Sequence, residues 1–327
     1  MALILPARLL NLIVAAACLF MPPAAAWAQA FPTKPIRFVV PYGTGGLPDV
    51  MGRLVALKMA EAIGQQVIIE NKPGASGIIA AEYVVKSDPD GHTLFIGDIG
   101  HYALNPALQP KLPYEPLRDF APVTLAVHGP LFLVVNPSLG VHSVRDLVAL
   151  AKTRPGMNYG SPGNASVHQL AMEQFGLLSG TRFVHIPYKG VAQAVPALLT
   201  GDTLLMFVSP TSVASHAKAG KLVILAAGSA QRSPLMPDVP SVAEAGYPGF
   251  EAVTNVGFLA PAATPRAVVM RLNSELVRAL RSPDVEQKMP GLGALVVAGT
   301  PEQFTERIRT DQANYLRWVR EAGVKLD

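Results

Sequence analysis

Cysteine is nearly missing from this chain of 327 residues: the single one, Cys18, falls in an apolar N-terminal stretch. The rest of the chain therefore has no disulfide framework, no thiolate metal site and no thiol nucleophile. Charge is sparse as well, with Asp, Glu, Lys and Arg making up 15% of residues, and aromatics contribute only 7%. The formal charge of +4 is scattered, without a basic run or interleaved aromatics, which argues against nucleic acid and leaves a mild attraction for anions. His92, His101, His128, His142, His168, His185 and His216 show no metal-ligand spacing, so no metal is expected. Carboxylates do not pair for acid–base work: Asp88 and Asp90 flank a turn proline, and Asp49 suits a helix start. After Met21 no apolar run reaches the roughly 18 residues of a membrane span, which predicts a soluble mature chain.

What is present begins with an export signal. Arg8 precedes the apolar run Leu9 to Met21, then Pro22-Pro23 and the small-residue segment Ala24 to Ala30, so residues 1–28 read as a signal peptide. Cleavage after Ala28 or after Ala30 satisfies the A-x-A rule. A lipoprotein reading of Cys18 is weaker, because Ala15-Ala16-Ala17 is a poor lipidation context.

The stretch Phe38 to Arg53 sets a pattern that the chain repeats. Phe38-Val39-Val40 ends a buried strand, Gly43, Gly45 and Gly46 force a tight turn, and a helix starts near Pro48. Glycine lets backbone N–H groups approach a ligand, and the first turn of a helix carries unsatisfied donors with partial positive charge. A carboxylate or phosphate fits there, although any strand–helix unit also needs a tight loop. The unit recurs with Val67 to Ile69 followed by Asn71 to Gly77, and Thr93 to Ile96 leads into a third loop, Gly97 to His101. Successive units place these loops on one edge of a parallel sheet, where open α/β sheets bind ligands.

A crossing near Pro130 leads to a second alternation, with Gly160 to His168 opening another helix as a Gly/Ser/Asn loop. Pro234 to Gly249 reads as a surface connection leading back. The expected organisation is an α/β chain of two lobes with a mostly parallel sheet in each: residues 31–130 with 251–327, and residues 131–250. A cleft separates lobes joined by two crossings.

Two enzymatic readings compete with ligand capture. Gly43-x-Gly45-x-x-Pro48 resembles part of a dinucleotide fingerprint, with Glu70 ending the next strand, but the third glycine is missing. Ser161 and His168 share one loop region, yet Tyr159-Gly160-Ser161-Pro162-Gly163 lacks the glycine two before the serine that a nucleophile elbow needs. Tyr188-Lys189-Gly190 sits at a strand–helix junction and reads equally as a packed tyrosine or a ligand contact.

Several segments resemble a known family across nearly the whole mature chain. They include Pro35-Ile36-Arg37 through Tyr42, Gly45-Gly46-x-x-Asp49, Glu70-Asn71-Lys72-Pro73-Gly74, Pro89-Asp90-Gly91-x-Thr93-Leu94, Asn105-Pro106, Leu112-Pro113-Tyr114, His185-x-Pro187-Tyr188-Lys189-Gly190 and Pro237-Asp238-Val239-Pro240 to Gly246. The chain resembles the Bug (TctC-like) solute receptors of tripartite tricarboxylate transporters. That resemblance implies a two-lobed periplasmic binding protein of the type II, Venus-flytrap kind. It implies a monomer that closes on a small carboxylate and delivers it to a membrane permease, without catalysis and without a cofactor. The same pocket presenting its ligand to a signalling partner is the alternative. Carried over residue by residue, ligand contacts are implied at Tyr42, Thr44, Gly45, Gly46, Ala75, Ser76, Ser161, Asn164, Ala165, Ser166, His168, Tyr188 and Ser209. Thr44 stands where the family often has proline, Ser209 follows Val208 where an acid is common, and Asn255 lies near a usual aromatic. These departures bear on which carboxylate binds.

Overall fold

The computed structural model describes residues 31–109 and 111–323. The expected signal peptide, residues 1–28, lies outside the described residues. From Lys34 onward the chain forms one compact unit. Among the described residues it contains eleven strands: β1 (Ile36–Val40), β2 (Val67–Asn71), β3 (Thr93–Asp98), β4 (Phe120–Pro130), β5 (Phe132–Val135), β6 (Met157–Ser161), β7 (Phe183–Pro187), β8 (Leu205–Val208), β9 (Val223–Ala227), β10 (Val253–Pro261) and β11 (Leu295–Val296). The longer helices are α1 (Leu47–Ile63), α2 (Ile78–Val85), α3 (Val144–Thr153), α4 (Val167–Ser179), α5 (Val191–Thr200), α6 (Arg266–Leu280) and α7 (Pro301–Ala322).

These bounds follow local chemistry. Helix α1 begins with proline in its first turn and stops at Gly64, whose φ of 67° returns an N–H to Ala60 O. Ser143 caps α3, and Thr300 and Gln303 form a capping box at the start of α7. Strand β1 is buried on both faces except at Arg37, as its apolar run predicts. None of the described helices is long and apolar enough to cross a membrane.

Two sheets form, in the orders β11-β4-β10-β3-β1-β2 and β7-β6-β8-β5-β9. The expectation of mostly parallel sheets needs correction, because both are mixed. Strand β1 pairs in parallel with β2 and β3, but β10 runs antiparallel to β3 and β4, and β11 antiparallel to β4. In the second sheet β6 is parallel to β7 and β8, whereas β5 is antiparallel to β8 and β9. Parallel neighbours require a crossover, which the strand–helix units supply. The strands that carry the chain from one sheet to the other make no such crossover, and they add in the opposite sense.

The two crossings lie side by side. Leu131 N donates to Ala252 O at 3.0 Å, Ala252 N to Gly228 O at 2.7 Å, and Gly228 N to Leu131 O at 2.6 Å. Helix α7 packs Phe304, Ile308, Tyr315 and Trp318 into the core of the first sheet with Val39, Phe95 and Leu125, and Leu170 of α4 joins the same cluster. The second sheet has its own core, with Leu133, Tyr159, Phe175, Phe207 and Phe250.

Candidate functional site

A cavity of about 460 Å³ opens where loops from both sheets meet. From the first sheet come Tyr42 after β1, Ser76 ahead of α2, Asp98 to His101 after β3, Leu104, Asn105 and Thr254 of β10. From the second come residues 162–168, the loop after β6 and the first turn of α4. These are the C-terminal ends of parallel strands, the edge that open α/β sheets offer to ligands. No lysine or arginine is among the described residues that line it.

The loop that opens α4 is built to present donors. Ser166 caps the helix through Gln169 N at 3.2 Å, and Gln169 Oε1 in turn accepts Ala165 N at 2.7 Å. That leaves the N–H groups of Val167 and His168 as first-turn donors without an intrahelical partner. Ala165 holds a φ of 53°, and across the cavity Ala75 and Ser76 hold 46° and 52°. Non-glycine residues in the left-handed region cost about 1–2 kcal/mol each and recur where a site must be shaped. Asn105 Nδ2 donates to Ser76 O at 3.0 Å and ties that loop down.

Opposite α4 stands a polar cluster around Asp98. Its Oδ2 accepts Tyr42 OH at 2.6 Å, while Oδ1 takes Gly100 N at 2.9 Å and lies 2.8 Å from His101 Nδ1. Burial pushes the Asp98 carboxyl up, but His101, Tyr42 and the Gly100 N–H outweigh it and hold the group below the usual range, so it is ionised. The His101 ring is set edge-on to Phe95 and Tyr42, and its backbone carbonyl accepts Tyr114 OH at 2.8 Å. Tyr42 is 38% exposed. Desolvation of its hydroxyl and the neighbouring Asp98 charge raise its pKa.

On α4, His168 Nδ1 donates to Phe207 O at 2.9 Å. Burial keeps its pKa below the ordinary value despite that carbonyl, so the ring is neutral with Nε2 as an acceptor.

Of the residues the sequence singles out, Tyr42, Ser76, Asn164, Ala165, Ser166 and His168 meet at this cavity. Thr44, Gly45, Gly46, Ala75, Ser161, Tyr188 and Ser209 do not line it. The glycine loop after β1 is engaged locally instead: Gly45 N donates to Asp49 Oδ2 at 2.9 Å, and Asp49 also accepts from Arg53 and from Asn71 Nδ2. Asn71 Nδ2 bonds Tyr42 O at 3.0 Å, so this network positions Tyr42. Tyr188 N donates to Ser161 O at 2.9 Å, and Ser209 Oγ pairs with Thr211 Oγ1 at 3.0 Å. Asn255 lies behind the wall. With its Nδ2 donating to His128 Nδ1 at 2.9 Å and its Oδ1 accepting from Arg307 at 3.0 Å, both ends of its amide are paired.

Ser161 is wholly buried. Its hydroxyl donates to Gly163 O at 2.8 Å and accepts from Gly163 N at 3.2 Å and from His185 Nε2 at 2.6 Å. With its proton given to Gly163 O and its oxygen enclosed, Ser161 is not presented to a substrate as a nucleophile.

Asp98, Gly100 and His101, in the third loop that the sequence places on the ligand edge, and Asn105 and Thr254 are cavity residues that the sequence did not name as ligand contacts. A signal existed for the first two, since Asp followed two residues later by Gly is the pattern of an Asx-turn.

A model of the tripartite tricarboxylate transporter family receptor matches residues 51–323. The chain belongs to this receptor family. It is 36% identical over 301 residues to the protein BugT of Bordetella pertussis, covering 91% of this chain and 92% of BugT. Among solved structures it is similar to an R. palustris protein with adipate, at 33% identity, a TM-score of 0.78 and coverage of 90% and 99%. It is also similar to MatC from Rhodopseudomonas palustris with bound malate, at 31% identity, a TM-score of 0.74 and coverage of 88% and 100%. The receptor is a periplasmic solute-binding protein of two-lobed α/β fold and not an enzyme, in keeping with the buried, fully engaged Ser161.

Proposed function

We propose that this receptor captures a small carboxylate in the cavity between residues 162–168 and the Tyr42, Ser76 and Asp98 loops, and delivers it to a tripartite tricarboxylate-type permease. The observation that carries this reading is a cavity rich in first-turn N–H groups, hydroxyls and amides, with no lysine or arginine among the described residues of its wall. Fixed N–H dipoles hold an anion without a buried counter-charge that would slow its release. The adipate and malate in the two R. palustris structures support the ligand class.

In this reading the lobes are residues 31–130 with 251–327 and residues 131–250, and they close by a hinge at the paired crossings. The chain acts as a monomer after export by its N-terminal signal. Ser76, Asn164 and the N–H groups of Val167 and His168 contact the carboxylate. The glycine loop after β1 supports Tyr42, and the buried Ser161 holds its own loop in shape.

The test is native mass spectrometry of the purified protein, followed by calorimetry with the acid found bound. A co-purified carboxylate, rebound by the stripped protein and weakened by Asn164→Leu, supports the reading. A protein that binds no mono- or dicarboxylate refutes it.

A further inference from the structure

We infer that the ligand carries, besides its carboxylate, a protonated amine or comparable N–H donor that Asp98 accepts. This rests on the carboxylate reading above and narrows it to amphoteric acids.

An ionised carboxylate has about four lone-pair sites on its two oxygens. Asp98 Oδ1 accepts Gly100 N and lies 2.8 Å from His101 Nδ1, which itself accepts Asp98 N at 3.2 Å, while Oδ2 accepts Tyr42 OH. One acceptor site on Oδ2 is left over. The side chain is 13% exposed and lines the cavity, so that site is within a ligand's reach.

Charge points the same way. Asp98 is ionised, His168 is neutral, and among the described residues no lysine or arginine lines the cavity to offset a second anionic group. A dicarboxylate seated with one end on the first turn of α4 would bring its other end toward a like charge, which disfavours it. An ammonium in that place gains a charge-assisted hydrogen bond. His168 adds an independent observation, since its Nδ1–H is committed to Phe207 O and leaves Nε2 as a second acceptor on a residue of the same cavity. Closing the lobes on a ligand without a donor would strand both acceptors away from water.

Calorimetry with matched probes of equal chain length tests this: 4-aminobutyrate, succinate and butyrate, and likewise 6-aminohexanoate, adipate and hexanoate. The amino acids are expected to bind at least about tenfold more tightly than either counterpart, and Asp98→Asn to erase that preference. Dicarboxylates binding as tightly as the amino acids, or plain monocarboxylates doing so, overturn the inference and leave the carboxylate reading standing. Binding of no probe overturns both. A preference that survives in a folded Asp98→Asn protein removes Asp98 from the assignment, and the comparison within the wild-type protein holds even if the variant does not fold.

Discussion

Gly77 joins two of the cavity loops, and replacing it with alanine probes that junction. Its φ is +81°, and a Cβ added there would overlap Nε2 and Cδ2 of His101 and come within 3.0 Å of Pro41 Cβ. The ring has little freedom to yield: His101 is buried, edge-on to Phe95 and Tyr42 at 5.2 and 5.4 Å, and held by Asp98. Two costs add. An L-residue in the left-handed region loses about 1–2 kcal/mol, and forcing a methyl into a packed core costs a further 1–3 kcal/mol, giving a total of about 2–5 kcal/mol. Urea unfolding followed by circular dichroism should show this as a lower midpoint at unchanged slope. Displacing His101 also strips Asp98 of a partner and moves the cavity wall, so ligand affinity should fall in the same variant. A double-mutant cycle with His101→Ala separates the terms, because without the ring the steric part vanishes and the backbone part stays. The cycle should give a coupling of about 1–3 kcal/mol. Additivity within about 0.5 kcal/mol would refute the packing argument and show that the loop relaxes by another route.

Three other perturbations probe the same structure. Ser161→Ala removes an oxygen that serves Gly163 N and His185 Nε2, and should lower stability by about 1–3 kcal/mol in denaturant melts while weakening ligand binding through the loosened loop. Arg307→Met strands Asp311, whose side chain is 3% exposed, and frees Glu251 beside the crossing; a loss of about 3 kcal/mol is expected, largely recovered when Asp311→Leu is added. Acid should weaken the fold as pH falls below about 6.5. Burial holds His168 and His128 below their ordinary values, so the unfolded chain takes up protons there before the folded one does. Asn in place of His168 keeps a donor for Phe207 O and removes that titration, so its melting temperature should depend less on pH between 7 and 5. An unchanged profile would clear His168 of this role.

Most of the fold was legible because its signals are local. Apolar runs mark the strands, proline starts α1 and α7, and glycines at Gly64, Gly180 and Gly201 stop helices in the left-handed conformation. The alternation of strands and helices fixed the α/β class, and the family motifs lie in the loops at strand ends. The loop from Asn164 to His168 was identified by composition alone, since Ser and Asn before an apolar periodic stretch are cap chemistry.

Tertiary structure decided what each glycine-rich loop does. Gly43 to Gly46 and Gly163 to Ser166 both precede a helix, and each has an N–H held by a side chain four residues on, Gly45 by Asp49 and Ala165 by Gln169, yet only the second lines the cavity. Asp49 is further held by Arg53 and by Asn71, which ties the first loop to the end of β2. Spacing marks the turn at Asp98 but not the roles of Asp98 and His101, which depend on Tyr42, 56 residues before Asp98, and on the space left by Gly77. The direction of β10 also depends on where the chain re-enters the first sheet, which no local pattern encodes. Periodicity and capping act over a few residues and are written in the sequence. Pairing across sheets and the sharing of polar atoms arise only once distant segments are packed together, so only the tertiary structure settles them.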